Sequence, residues 1–142
     1  MSTIFVETDA VELTSDVVSG LITVGGFTHP LFRQPDGLVV EDPPLPGQAV
    51  LLLAGGLVEQ CGVLDDAVAM VEMRSARFHR MVRAGSRLRV RVEPGEARAT
   101  RSQRWVQEFV WQVLDDAGAL VATVDVVMLM QTKVEGSTWE PS

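Results

Sequence analysis

The sequence predicts an α+β fold in which a curved antiparallel sheet wraps around one long buried helix. Three observations carry that expectation. Residues 47–61 form an uninterrupted stretch that is apolar on nearly every side of a helix, so protein must cover most of it. The segments that follow alternate with a period of two, the mark of strands with one buried face. Short turns join these segments, as antiparallel neighbours require. A sheet that curls round the helix satisfies both sets of apolar faces at once.

The first helix is expected over 16–24. Thr14 or Ser15 serves as its N-cap, since a hydroxyl there accepts a bond from an unpaired backbone N–H. Val17, Val18, Leu21 and Ile22 share one face, and Gly25-Gly26 ends the helix because glycine tolerates a left-handed C-terminal conformation. Residues 25–46 read as loop, because Pro30, Pro35, Pro43, Pro44 and Pro46 deny regular helix or central strand. A loop of this length inside a compact domain is commonly functional. Pro46-Gly47 opens the second helix. Its internal Gly55-Gly56 pair costs about 1 kcal/mol per glycine relative to alanine, and close approach of a neighbouring backbone or a ligand is the expected return.

Strands follow at 67–79, 87–92, 105–114 and 120–131. Arg83-Ala84-Gly85-Ser86 forms a turn, Pro94-Gly95 a second, and Asp115-Asp116-Ala117-Gly118 a hairpin. Trp105 and Trp111 share strand parity and are assigned to the core. The tail over 135–142 is expected to fray. This arrangement is the hotdog architecture. One such unit leaves a sheet edge and part of the helix open, so a dimer with a continuous sheet is expected.

Composition narrows the function. The 142 residues fit a single domain, and 46% of them are hydrophobic, enough for a sizeable core. No apolar run reaches the roughly 18 residues of a membrane span, and the N-terminus lacks the basic region of a secretory signal. The one cysteine, Cys61, fits a reducing compartment, so a cytoplasmic location is expected. A formal charge of −7 argues against nucleic acid as a partner. Arg74, Arg77, Arg80, Arg83, Arg87, Arg89 and Arg91 nevertheless cluster, as a local anion site or as a solvated strand edge. The two histidines, His29 and His79, have no cysteine or carboxylate at ligand spacing, so no metal and no other cofactor is expected. Asp65-Asp66 and Asp115-Asp116 read as turn residues. Cys61, at the end of a buried helix with no neighbouring base, reads as packing.

Three segments resemble the MaoC-like hotdog proteins, which include R-specific enoyl-CoA hydratases and related dehydratases. They are Gly25-Gly26-Phe27-Thr28-His29-Pro30-Leu31-Phe32, the helix opening Pro46-Gly47, and Arg77-Phe78-His79-Arg80-Met81-Val82-Arg83-Ala84-Gly85-Ser86-Arg87-Leu88. The resemblance runs from about residue 10 to residue 131. It implies an acyl-thioester substrate, carried by coenzyme A or an acyl carrier protein. It also implies a loop of pattern Gly-Asp-x-Asn-Pro-x-His whose Asp and His form a dyad acting on water. Registered on Pro30, the Asp position holds Phe27, the Asn position His29 and the His position Phe32. A phenyl ring transfers no proton, so the ordinary hydration mechanism does not carry over.

The resemblance further implies that the thioester carbonyl binds at the amino end of the central helix, here Gly47 and Gln48. Unpaired N–H groups and a partial positive charge suit that position. His29, with Thr28 beside it, is the candidate catalytic group, because an imidazole works as base or acid near neutral pH. Its other reading is a loop-shaping residue bonded to backbone. Phe27 and Phe32 either line an acyl slot or plug it. The leading expectation is a hydratase- or dehydratase-like enzyme centred on His29. The alternatives are a catalytically inactive hotdog subunit that completes a partner's tunnel, a hotdog thioesterase, and a small-molecule binding module. A homodimer or a hotdog heterodimer is expected, with no membrane partner.

Overall fold

A computed structural model describes residues 5–134 and 136–139. In chain order the elements are β1 (Val6–Glu7), β2 (Val11–Glu12), α1 (Ser15–Gly25), α2 (Gly47–Gln60), β3 (Ala67–Phe78), β4 (Arg87–Ala99), β5 (Trp105–Leu114), β6 (Leu120–Met130) and β7 (Thr138–Trp139). The sheet runs β1-β4-β5-β6-β3, with β2 and β7 also paired to β4. All pairings are antiparallel except β7 with β4. The expected wrap is present. One continuous core joins Ala49, Val50, Ala54, Leu57 and Val58 of α2 to inward residues of β4, β5 and β6. Trp111, Phe109, Val90 and Val124 are almost fully buried there. Each such side chain contributes about 1.5–3 kcal/mol by leaving water.

Local chemistry explains the helix ends. Thr14 caps α1: its Oγ1 accepts the Val17 N–H at 3.1 Å. Gly26 closes it in the left-handed region, at φ 72°. Pro46 opens α2 without a side-chain cap. The entry is held instead by the Leu45 N–H, which donates to the Val82 carbonyl at 2.8 Å. Cys61 caps the far end, and its thiol donates to the Val58 carbonyl at 3.0 Å, in keeping with a packing role.

Four expectations need correction. The segments before α1 hold two short strands that pair with β4, too brief to show a period in sequence. Pro94-Gly95 is a bulge inside one long strand, not a turn. The buried Gln107 amide fills that bulge, donating to the carbonyls of Gly95 and Glu108 at 3.3 and 2.9 Å. A proline lacking an N–H is tolerated where the ladder is already interrupted. Of the tail expected to fray, Thr138–Trp139 pairs in parallel with Glu96 and Ala97, and residues 135 and 140–142 lie outside the described residues.

The Gly55-Gly56 pair is the fourth. A methyl at Gly55 would meet the Trp111 ring at 3.9 Å, ordinary contact, and one at Gly56 would meet nothing within 4 Å. Neither glycine is required by close approach within the chain. The wrap also leaves one stripe of α2 open, where Leu52 is 64% exposed. Gly56→Ala should therefore raise stability by about 1 kcal/mol through helix propensity, measured by denaturant unfolding. A loss instead would mean that another molecule packs on Gly56.

Candidate functional site

The diagnostic loop is built on α1. Gly25 leaves room for the Phe27 ring, which folds back across it; any side chain at that position would collide with the ring. The Phe27 N–H donates to the Ile22 carbonyl at 3.1 Å. The chain then turns, and the N–H groups of Phe32 and Arg33 both donate to the His29 carbonyl, at 2.8 and 3.0 Å. This turn brings Phe27 and Phe32 together, with ring centroids 5.4 Å apart and planes inclined at 60°. Both rings are half-buried against the core. The two positions of the expected dyad are thus adjacent in space, and apolar packing fills them.

Arg33 fastens the loop. Its Nε donates to the Phe27 carbonyl at 3.1 Å and its Nη1 to the Gly37 carbonyl at 3.0 Å. Its Nη2 reaches Thr23 Oγ1 at 3.5 Å. A planar guanidinium serves three acceptors that a single ammonium group would reach less well. Sequence reading missed this residue, although an arginine among prolines in a long loop is well placed to reach backbone carbonyls.

His29 is exposed, and its Nδ1 accepts the Leu31 N–H at 3.1 Å. That bond fixes the neutral tautomer with the proton on Nε2, as inferred from the hydrogen-bond pattern. In this arrangement the Nδ1 lone pair is turned to the main chain. Thr28 is also exposed.

A cavity of about 400 Å³ lies at the amino end of α2. Phe32, Leu45, Gly47, Val50, Phe78 and Val82 supply much of its wall, and Leu31, His79 and Arg80 also border it. Phe27, Thr28, His29 and Gln48 are not among its lining residues. The structure therefore groups Phe32 with Gly47 and separates both from His29. The N–H groups of Ala49 and Val50 both donate to the Pro46 carbonyl, at 2.9 and 3.1 Å, whereas those of Gly47 and Gln48 have no acceptor among the described residues. Unpaired donors at a helix start suit a carbonyl oxygen. Phe78, which sequence reading passed over, presses its ring on Gly47. His79, just past the end of β3, also borders the cavity, and its Nε2 lies 3.1 Å from Thr123 Oγ1.

The other singled-out groups have structural roles. Asp115 Oδ1 accepts the N–H groups of Ala117 and Ala119 in the hairpin turn. Asp116 Oδ1 accepts the Arg87 N–H. Most of the clustered arginines pair with carboxylates: Arg74 with Glu72 and Glu108, Arg80 with Asp115, Arg83 with Asp42, and Arg89 and Arg91 with Glu7. No cluster of metal-ligating side chains occurs among the described residues. No helix among them is long and apolar enough to cross a membrane.

Solved structures of similar shape agree with this architecture. A monoamine oxidase regulatory protein from Archaeoglobus fulgius is 20% identical, with TM-score 0.78 over 92% of this chain and 90% of its own. A MaoC-like dehydratase from Rhodospirillum rubrum is 13% identical, with TM-score 0.72 over 94% of each chain. The chain has the MaoC-like hotdog fold. A third hotdog neighbour is the HadBC 3R-hydroxyacyl-ACP dehydratase complex of Mycobacterium tuberculosis, 18% identical, with TM-score 0.66 over 91% of this chain and 98% of that one. The sequence matches no family model and no curated protein at significant similarity.

Removing the Arg33 side chain should loosen the hotdog loop. Arg33→Ala is expected to cost about 1–2 kcal/mol, the low range for hydrogen bonds from a charged donor in partial exposure. Hydrogen exchange at Phe27, Gly37 and Leu38 should rise in the variant, and Arg33→Lys should recover only part of the protection.

Proposed function

We propose that this chain binds an acyl thioester at the amino end of α2, and that it supplies the binding surface rather than the proton-transfer dyad of a hotdog hydratase or dehydratase. The observation that carries the reading is the contrast between two halves of one site. The dyad positions hold the paired rings of Phe27 and Phe32. The helix end beside them keeps an apolar cavity and the unpaired N–H groups of Gly47 and Gln48. An acyl chain lies along the apolar wall while its thioester oxygen accepts from the helix start. Phe32 contributes to that wall, and Phe27 supports Phe32 from behind. Carriage of the acyl group on coenzyme A or on an acyl carrier protein fits equally, and cytoplasmic chemistry of fatty-acid or polyketide type is the setting.

The chemistry of His29 favours this over catalysis by the chain alone. Its acceptor nitrogen is occupied by the Leu31 N–H, and it does not border the cavity. A general base must reach the proton it removes. The residues that handle water then come from a second hotdog chain. One of the similar structures is itself a dehydratase complex, which supports such an arrangement.

Strand β3 offers the contact. It forms the sheet edge, paired among the described residues only to β6, and is exposed along nearly its whole length. It carries Val68, Met70, Val71 and Met73, all exposed. A long apolar edge invites pairing with another strand.

Two measurements test the proposal. Isothermal calorimetry on the purified chain should show binding of crotonyl and longer acyl-CoA thioesters, while absorbance assays show no hydration above the uncatalysed rate. His29→Ala should leave binding unchanged. Hydration by the chain alone that His29→Ala abolishes would instead establish His29 as the catalytic group and overturn the subunit reading. In the second measurement, light scattering should report a dimer for the chain alone, and Met73→Lys should shift it to a monomer with the fold retained.

A further inference from the structure

The contact between Gly47 and Phe78 has a geometry that ordinary core packing does not need. A methyl placed at Gly47 would lie 3.1 Å from both Cε1 and Cζ of Phe78 and 3.3 Å from Cε2. Those are the atoms of the ring's far end, so the ring points tip-first at the start of α2. Both residues line the cavity. Phe78 is nevertheless 49% exposed. It is the last residue of β3, the edge strand, with hydrogen-bonded sheet on one side only. A ring so placed rests its tip on the start of α2 and leaves about half of the residue exposed.

We propose that Phe78 is the specificity-determining residue of this cavity. Its ring, seated against the bare backbone of Gly47, sets the width available to the acyl group and must turn outward for a wide one. The inference rests on the acyl-thioester reading given above. Glycine at position 47 has a defined part in it. Any larger residue would push the ring tip outward by a few tenths of an ångström or more, because the contact is already tighter than most real Cβ contacts. Of the other apolar lining residues, Leu31 and Met81 are also exposed, whereas the rest are buried or held in place. Val82 and Leu45 are buried and tied together by the Leu45 N–H to Val82 carbonyl bond. Val50 is buried in the helix. Phe32 is held by the turn around His29. Among the apolar side chains that pack around Gly47, Phe78 is the one at an open strand end.

The test is a binding profile on the full chain. Dissociation constants are measured by calorimetry for crotonyl-, octanoyl- and phenylacetyl-CoA. The proteins are the wild type, Phe78→Ala, Phe78→Leu, Gly47→Ala and the double variant Gly47→Ala/Phe78→Ala, with melting temperatures recorded alongside. Phe78→Ala should change the ratio of phenylacetyl to crotonyl affinity by about tenfold or more in favour of the wider group, the scale of one hydrophobic-pocket alteration. Phe78→Leu, which keeps apolar mass and the fold, should change it in the same direction by less. Gly47→Ala should alter the profile in the wild-type background and have little effect when Phe78 is alanine, because the methyl then has no ring to displace.

An unchanged ratio in both Phe78 variants would overturn the inference while leaving the acyl-thioester reading in place. Equal effects of Gly47→Ala in both backgrounds would also overturn it. Binding by Phe78→Ala but not by the wild type would support it as a closed cover. Absence of binding by every folded variant would remove the acyl-thioester reading itself.

Discussion

Burial of one face of α2 against the concave sheet holds the rest of the molecule in place. Ala49, Val50, Ala54, Leu57 and Val58 enter a single core with β4, β5 and β6. The helix satisfies its own backbone hydrogen bonds, so it can be covered by apolar side chains at little polar cost. Its start is the exception. Pro46 has no N–H, provides no side-chain cap, and leaves two donors unpaired. The sheet cannot cover that end without stranding those groups, and there the cavity opens. The site is therefore a consequence of how the helix is buried.

The loop over 25–33 combines packing with bonds to its own backbone. Phe27 and Phe32 pack on each other and on the core. The backbone shape of the loop comes from elsewhere. Bonds to the carbonyls of Ile22 and His29 set the turn, and Arg33 ties Phe27 to Gly37. The histidine that remains does backbone work: its ring accepts a main-chain N–H. Apolar surface occupies this part of the loop, next to a helix end with two unpaired N–H groups.

The open edge belongs to the same logic. A sheet long enough to curl round α2 has more inner surface than one short helix can cover. Met70 and Met73 of β3 and Leu52 of α2 stay exposed. Three register shifts interrupt the pairing of β3 with β6, and no strand among the described residues pairs with its outer side. Phe78 ends this same strand, so the cavity wall and the open sheet edge adjoin.

The sequence alone determined the elements that depend on near neighbours. Helical spacing in 16–24 and 47–61, period-two alternation in two of the four long strands, and turn residues at 83–86 and 115–118 all reappear in the structure, with Thr14 as the cap. These features follow from backbone geometry, which a short window expresses. Pro94-Gly95 misled because proline means a break locally, whereas here Gln107, on the neighbouring strand, supplies the bonds the bulge lacks. Only the tertiary structure decided which loop residues share a cavity. It set Phe32 beside Gly47 and Phe78, and it left His29 outside with its nitrogen engaged. Those juxtapositions join residues tens of positions apart through the packing of α2 in the sheet, and no spacing within the chain encodes them.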